Sequence, residues 1–258
     1  ACSDLSTDSF LAAFARFVGR RGLPSKVFSD NGKNFVGASR ILKKDFEDFL
    51  ISSADEVLKR YSINGFDWSF IPPYAPHMGG LWEAAVKSFK IHFKKVAENF
   101  NFTFEEFSTL LIKIEAVLNS GPISPQSEMP TDLAPLTPGH FLRGAPLLAN
   151  PEPHTENLSL INRWKKLKSL HIIFSQRWKT EYLSEMHKRY KWKYPQPNLQ
   201  INDLVVIKDD LLPPTEWRLG RIMSLCAGAD TNVRVAEIRT QQGIVKRSIT
   251  KLCVLPSN

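Results

Sequence analysis

Glu83, Lys87 and Lys90 bring together one carboxylate and two ammonium groups at a spacing that matters if the segment is helical. Positions i, i+4 and i+7 share one face of a helix, so the three groups line up. The carboxylate could hold a metal and the ammonium groups phosphate. Gly79 and Gly80 just before them lack a β-carbon, so another backbone could approach there. Taken alone, the same triple reads more readily as an ordinary i,i+4 surface pair worth about 0.2–0.5 kcal/mol. A second carboxylate, Asp30, follows Lys26-Val27-Phe28-Ser29, which reads as a short buried strand, and precedes Asn31-Gly32, a turn signal. In open α/β sheets, ligand groups collect at the carboxyl ends of strands. Asp30 therefore stands where a catalytic carboxylate would, with a plain Asp-Asn-Gly turn as the alternative.

Several elements must position these groups. Pro72, Pro73 and Pro76 hold the approach to Glu83 extended, and the pattern turns helical from Leu81. Upstream, Ser6 or Thr7 caps a helix with Phe10, Leu11, Phe14, Phe17 and Val18 on one face and Gly19 or Gly22 as its stop. Arg16, Arg20 and Arg21 at its end read as a solvated helix end or as phosphate contacts. A helix is expected over 38–51, a shorter one over 54–61 and a strand over 67–71. Thr103 and Glu106 form a capping box that opens a helix ended by Gly121-Pro122.

The second half changes character. Residues 121–156 are rich in proline and read as a connecting segment rather than a packed element. A long basic helix is expected over about 157–190, with the stripe Leu158, Ile161, Trp164, Leu167, His171, Phe174, Trp178 and Tyr182 more readily core than a nucleic-acid platform. Its other positions carry Arg163, Lys165, Lys166, Lys168, Arg177 and Lys179. In Lys188-Arg189-Tyr190-Lys191-Trp192-Lys193, cations alternate with rings, which suits either nucleic-acid contact or a solvated helix end. From Leu204 onward the period is that of short strands, which suggests a small barrel made basic by Arg218, Arg221, Arg234, Arg239, Lys246 and Arg247.

The chain of 258 residues, 43% hydrophobic, is long enough for two domains. Its net charge of +8 favours a polyanionic partner. Cys2, Cys226 and Cys253 are few and scattered, which argues against a disulfide framework or a cysteine zinc site. No HxxxH or HExxH pattern occurs and no apolar run is long enough to span a bilayer.

Taken together, strand-Asp30-Asn31-Gly32-x-Asn34-Phe35, then Pro72-x-Tyr74-x-Pro76-x-x-Gly79-Gly80-x-x-Glu83, then a basic linker and a small basic β domain resemble the integrase of LTR retrotransposons of the BEL/Pao type. Leu136-Thr137-Pro138-Gly139-His140-Phe141-Leu142 and Leu204-Val205-x-Ile207-Lys208-Asp209-Asp210 with Pro213-Pro214 and Trp217 extend the resemblance over nearly the whole chain. It implies an α/β fold with a partial ribonuclease-H-like core over 1–120, the connecting segment 121–156, a basic helix over 157–197 and an SH3-like β-barrel over 198–258. It further implies an Asp, Asp, Glu triad that binds Mg²⁺ or Mn²⁺. Asp30 matches the second Asp and Glu83 the Glu, 53 positions on (83 − 30), with the extra length taken up by the helices between them. Two such metals about 3.5–4 Å apart neutralise charge on a phosphate during in-line transfer, and hard oxygen ligands select them.

Lys87, Lys90, Asn31, Gly79 and Gly80 are implied to lie against DNA, as are Lys188, Arg189, Lys191 and Lys193 and, in the β domain, Arg218 and Arg221. The implied partners are the element's own DNA ends and target DNA, with no membrane and no small-molecule substrate. The full-length protein is expected to be a homo-oligomer that performs 3′-end processing and strand transfer, nuclear after a cytoplasmic particle stage. The strand with the family's first Asp and the zinc-binding domain before it have no counterpart here, and Asp4 and Asp8 do not substitute. The expectation is thus a truncated piece that does not hold two metals by itself and whose sheet exposes an edge. The alternative is a non-catalytic nucleic-acid-binding remnant using the basic helix and barrel. A ribonuclease or cut-and-paste transposase on the same core fits the middle and terminal segments less well.

Overall fold

The computed structural model describes residues 2–52, 66–73, 75–98, 100–147, 163–186, 199–209, 212–228 and 233–256. They form a mixed α/β protein of two compact units, 1–91 and 92–258. The expected short helix at 54–61 lies outside the described residues.

In the first unit, α1 (Thr7–Arg21) opens on Ser6, whose hydroxyl accepts from the Ser9 N–H at 3.2 Å. That satisfies one of the donors a first helical turn leaves over. Gly22, at φ 83°, ends it and returns its N–H to the Val18 carbonyl at 2.8 Å. Glycine takes this left-handed conformation without a β-carbon clash. β1 (Lys26–Ser29) and β2 (Asp67–Phe70) pair in parallel, Val27 opposite Trp68 and Ser29 opposite Phe70.

α2 (Lys33–Ser52) begins five residues before the expected 38. Phe35, in the added turn, sets its ring edge-on against Phe10, with centroids 4.9 Å apart. The two helices approach closely at Gly37, where a β-carbon would lie 2.6 Å from Thr7 Oγ1. Trp68 packs on Phe10 and Phe14 with centroids 5.8 and 6.4 Å away, so rings cover one face of the strand pair. Strand residues alternate between faces, and on the opposite face Phe28 stays 58% exposed. Among the described residues each strand has one partner, in a two-stranded sheet. A 3₁₀ turn (Pro76–Gly79) leads into α3 (Gly80–Ala97), whose last residues, from His92, belong to the second unit.

The second unit opens with α4 (Phe104–Leu118). The capping box is formed as expected: Glu106 N–H donates to Thr103 Oγ1 at 3.2 Å and Thr103 N–H to Glu106 Oε2 at 2.8 Å. Leu110, Ile114 and Val117 make its buried face. The proline-rich stretch is packed through its described part, unlike the loose connection expected. β3 (Ser124–Pro125) pairs antiparallel with β4 (Pro135–Leu136), and α5 (Pro138–Arg143) follows. A β-carbon on Gly121 would meet Trp178 at 3.1 Å, and Tyr182 donates its hydroxyl to the Pro122 carbonyl at 2.8 Å.

α6 (Arg163–Met186) buries Leu167, His171, Phe174 and Trp178 of the expected stripe, whereas Trp164 stays 49% exposed. β5 (Leu204–Ile207), β6 (Arg218–Ala227), β7 (Val233–Thr240), β8 (Gly243–Ser248) and β9 (Leu252–Val254) form an antiparallel sheet ordered β8-β7-β6-β5-β9. All four residues of β5 are buried because both its faces are covered. Val205 and Ile207 pack with Ile222, Ala236, Ile238 and Leu252. Leu204 and Val206 pack with Leu183 of α6, Cys253 and Leu255. The expected barrel is therefore seen as a five-stranded sheet backed by a helix.

Candidate functional site

Asp30 stands exposed just beyond β1 and accepts the Gly32 N–H on Oδ1 at 2.8 Å, closing a tight turn of the Asx kind. The Asn31 side-chain amide donates to the Ile71 carbonyl at 2.8 Å. Ile71 is the residue after β2. Parallel strands present their carboxyl ends on one side, and this bond ties the two ends together. Asp30 thus leaves the sheet from the same end as the chain that runs on to Glu83.

Glu83 lies in the first turn of α3, where a carboxylate suits the positive end of the helix dipole. Its Oε1 would be 3.0 Å from a β-carbon on Gly79, and Trp82 ring atoms would be 3.2 Å from it. Gly79 is buried under the side chains of its own turn, and a β-carbon there would make Glu83 or Trp82 give way by a few tenths of an ångström. Gly80 faces open space, with nothing within 4 Å of a β-carbon there. Lys87 and Lys90 are exposed along α3 on the helical spacing that includes Glu83.

Asp30 and Glu83 supply hard oxygen donors, the chemistry that suits Mg²⁺ or Mn²⁺. Among the described residues, however, no three His, Cys, Asp or Glu side chains group as a metal site. One Asp30 oxygen is also engaged with Gly32. The residues present do not by themselves fit a two-metal centre, which needs clustered carboxylates.

Of the expected DNA contacts, Lys188, Arg189, Lys191 and Lys193 lie outside the described residues. Arg221 is placed in the interior, 5% exposed, rather than on a basic surface. Its guanidinium donates to the carbonyls of Asp132 at 3.1 Å, Asn202 at 3.0 Å and Ser127 at 2.8 Å. A planar fork of donors can hold three carbonyls at once, so Arg221 staples the proline-rich segment to the sheet. Arg218 is neutralised by Asp209 at 2.7 Å and also donates to Gln242 at 3.1 Å.

Lys179 likewise leaves the basic helix face. It is buried, donates to the carbonyls of Pro213 at 2.7 Å and Glu216 at 2.8 Å, and lies over the Trp217 ring. Burial pushes its pKa down to about 8, against the opposing pull of Glu216 and Asp209. The backbone between those carbonyls is strained, with Thr215 at φ 68°. Arg163 is bound through two bonds of 2.6 Å to Glu106, whose carboxyl is held down to about 2 first by that arginine and then by the Thr103 N–H.

Two cation–ring groups escaped the sequence reading because each joins α6 to a residue outside it. Lys113 of α4 and Lys168 of α6 lie over Trp164, and Arg163 and Lys166 over Phe100. No helix among the described residues is long and apolar enough to cross a membrane.

Residues 162–255, from the start of α6 through β9, match a family of unknown function, DUF5641. No curated protein matches the chain. Among solved structures it is similar to a chain of the cryoEM structure of the simian T-cell lymphotropic virus intasome in complex with PP2A regulatory subunit B56 gamma, at 12% identity and a TM-score of 0.34. The match covers 98% of this chain and 65% of that one, and a likeness at that score carries no argument.

Proposed function

We propose that this chain is part of a retroelement integrase of the BEL/Pao type, in which Asp30 and Glu83 contribute oxygen ligands to one cation position and Lys87 and Lys90 hold DNA beside it. The observation that carries this reading is the Asn31–Ile71 hydrogen bond of 2.8 Å, which joins the carboxyl ends of two parallel strands. That end of a sheet is where ligand groups gather in α/β folds. The reading requires at least one more carboxylate from outside the described residues. It also implies homo-oligomeric action on DNA in the nucleus, in a larger protein. The test is strand transfer by a protein that joins this chain to a strand bearing such a carboxylate, in Mg²⁺ or Mn²⁺. Glu83→Gln and Asp30→Asn should each reduce joining of a labelled DNA end to background, and an unaffected Glu83→Gln protein would refute the assignment.

A second reading has its own support. The DUF5641 match lies wholly within the second unit and contains neither acidic candidate. A non-catalytic nucleic-acid-binding module built on α6 and the sheet accounts for that. It predicts metal-independent, salt-dependent DNA binding that survives both substitutions.

A further inference from the structure

The two outer strands of the five-stranded sheet end it differently. β9 has three residues, and Leu252 and Cys253 in it are buried. β8 has six, and all but Val245 are exposed. Among the described residues its one partner is β7. No register shift interrupts that ladder and no proline lies in β8. Proteins guard a long edge by such breaks or by charge, and here the guard is charge alone. Residues 243–251 carry Lys246, Arg247 and Lys251 and no carboxylate. Alternate residues of a strand face opposite ways. Val245 packs against the core of the sheet, so Ile244, Lys246 and Ser248 lie on its other face. Ile244 is 65% exposed. Glu237, opposite Lys246 on β7, pairs with it at 3.1 Å and accepts the Ser224 hydroxyl at 2.7 Å. The exposed Arg247 guanidinium donates at 2.9 Å to the Lys246 carbonyl rather than to a carboxylate.

We propose that β8 takes up an extended acidic segment of another protein as a sixth strand of the sheet. A strand edge presents backbone N–H and C=O groups by turns, and a peptide supplies a partner for both. Phosphates of a nucleic acid accept hydrogen bonds but donate none, so they would leave the edge carbonyls to water. A second copy of this chain would bring Lys246 and Arg247 again, and like charges across a strand pair are destabilising. An acidic segment turns the same two cations to attraction. Paired antiparallel, it would set carboxylates opposite Arg247 and Lys246. Two residues on from the Lys246 partner, it would set an apolar side chain opposite the exposed Ile244. The inference rests neither on the metal reading of Asp30 and Glu83 nor on nucleic-acid binding by α6.

The probe is the end-capped peptide Thr-Glu-Glu-Val-Ile-Thr, titrated into the full isotope-labelled chain and followed by amide NMR. Shifts should be confined to β8, the β7 residues that pair with it and the turn 249–251. Methylating the peptide nitrogens that face β8 keeps every side chain and removes the donors, and should weaken binding about tenfold. Arg247→Glu should weaken binding about three- to tenfold, and a peptide with lysine in place of the glutamate that meets position 247 should recover the loss. Undiminished binding of the methylated peptide, or shifts centred outside β8, would overturn the proposal. So would β8 shifts produced by oligo-dT and not by the peptide. Self-pairing through β8, seen as β8 shifts that grow with protein concentration alone, would overturn it as well.

Discussion

The two units differ in where their chemistry and their interior lie. Among the described residues of 1–91, Ala38 is the buried apolar side chain, and the rings of Phe10, Phe14, Phe35 and Trp68 meet one another while remaining partly exposed. In 92–258, Leu110, Ile114, Val117, Phe174 and the whole of β5 are shut away from water. Full burial of such a side chain stabilises by about 1.5–3 kcal/mol relative to exposure, and half-exposed rings gain correspondingly less. Of the exposed carboxylates, Asp30 therefore follows a strand of a two-stranded sheet, and Glu83 lies in the first turn of α3. The well-packed unit spends several of its cations on internal carbonyls and carboxylates. Basic composition is thus a poor guide to where a polyanion binds, since Lys179, Arg218 and Arg221 are all committed within the fold.

The contrast can be broken most forcefully in the second unit. Phe174→Ala, which removes a ring with no exposure, should cost about 3–5 kcal/mol in chemical denaturation. Arg221→Met should cost about 2–3 kcal/mol by leaving three carbonyls without their donor, and hydrogen exchange should rise across 127–132. Arg221→Lys should rescue little, because one ammonium cannot span the three. In the unsubstituted protein, amides of β1 and β2 should exchange well before those of β5, since protection follows burial and pairing. Equal protection in the two sheets would remove the contrast.

The smallest effect is electrostatic. The folded Glu106 carboxyl has a pKa of about 2 against 4.5 as the ordinary value. Between those values the unfolded chain binds more protons than the folded one. The stabilisation is therefore complete above about pH 4.5 and is lost as pH falls towards 2. Glu106→Gln should flatten the stability profile across that window and leave it unchanged at neutral pH apart from a constant offset.

Local signals were legible in the sequence and tertiary ones were not. The Thr103–Glu106 capping box, the Lys26–Ser29 strand and the Leu204–Ile207 run were readable because their cause lies within a few residues. The start of α2 was misjudged because Phe35 becomes helical to meet Phe10, a partner 25 positions away (35 − 10). Proline content made 121–147 look loose, when Gly121 and Gly139 lie in contacts that leave little room for a side chain. Helical periodicity put Lys179 on the solvated face, yet the carbonyls that draw it inward belong to the turn after β5. At the candidate site, Asp30 at a strand end and Glu83 in a first helical turn were both foreseen. The Asn31–Ile71 bond between the two strand ends was not, because nothing local announces it.

The central claim is that Asp30 and Glu83 serve one cation, and Mn²⁺ titration of the chain joined to the carboxylate-bearing strand, followed by electron paramagnetic resonance, tests it most directly. The account predicts one weak site that Asp30→Asn and Glu83→Gln each abolish, with the double variant no worse than either single one. Independent, additive losses, or a titration indifferent to both substitutions, would contradict it.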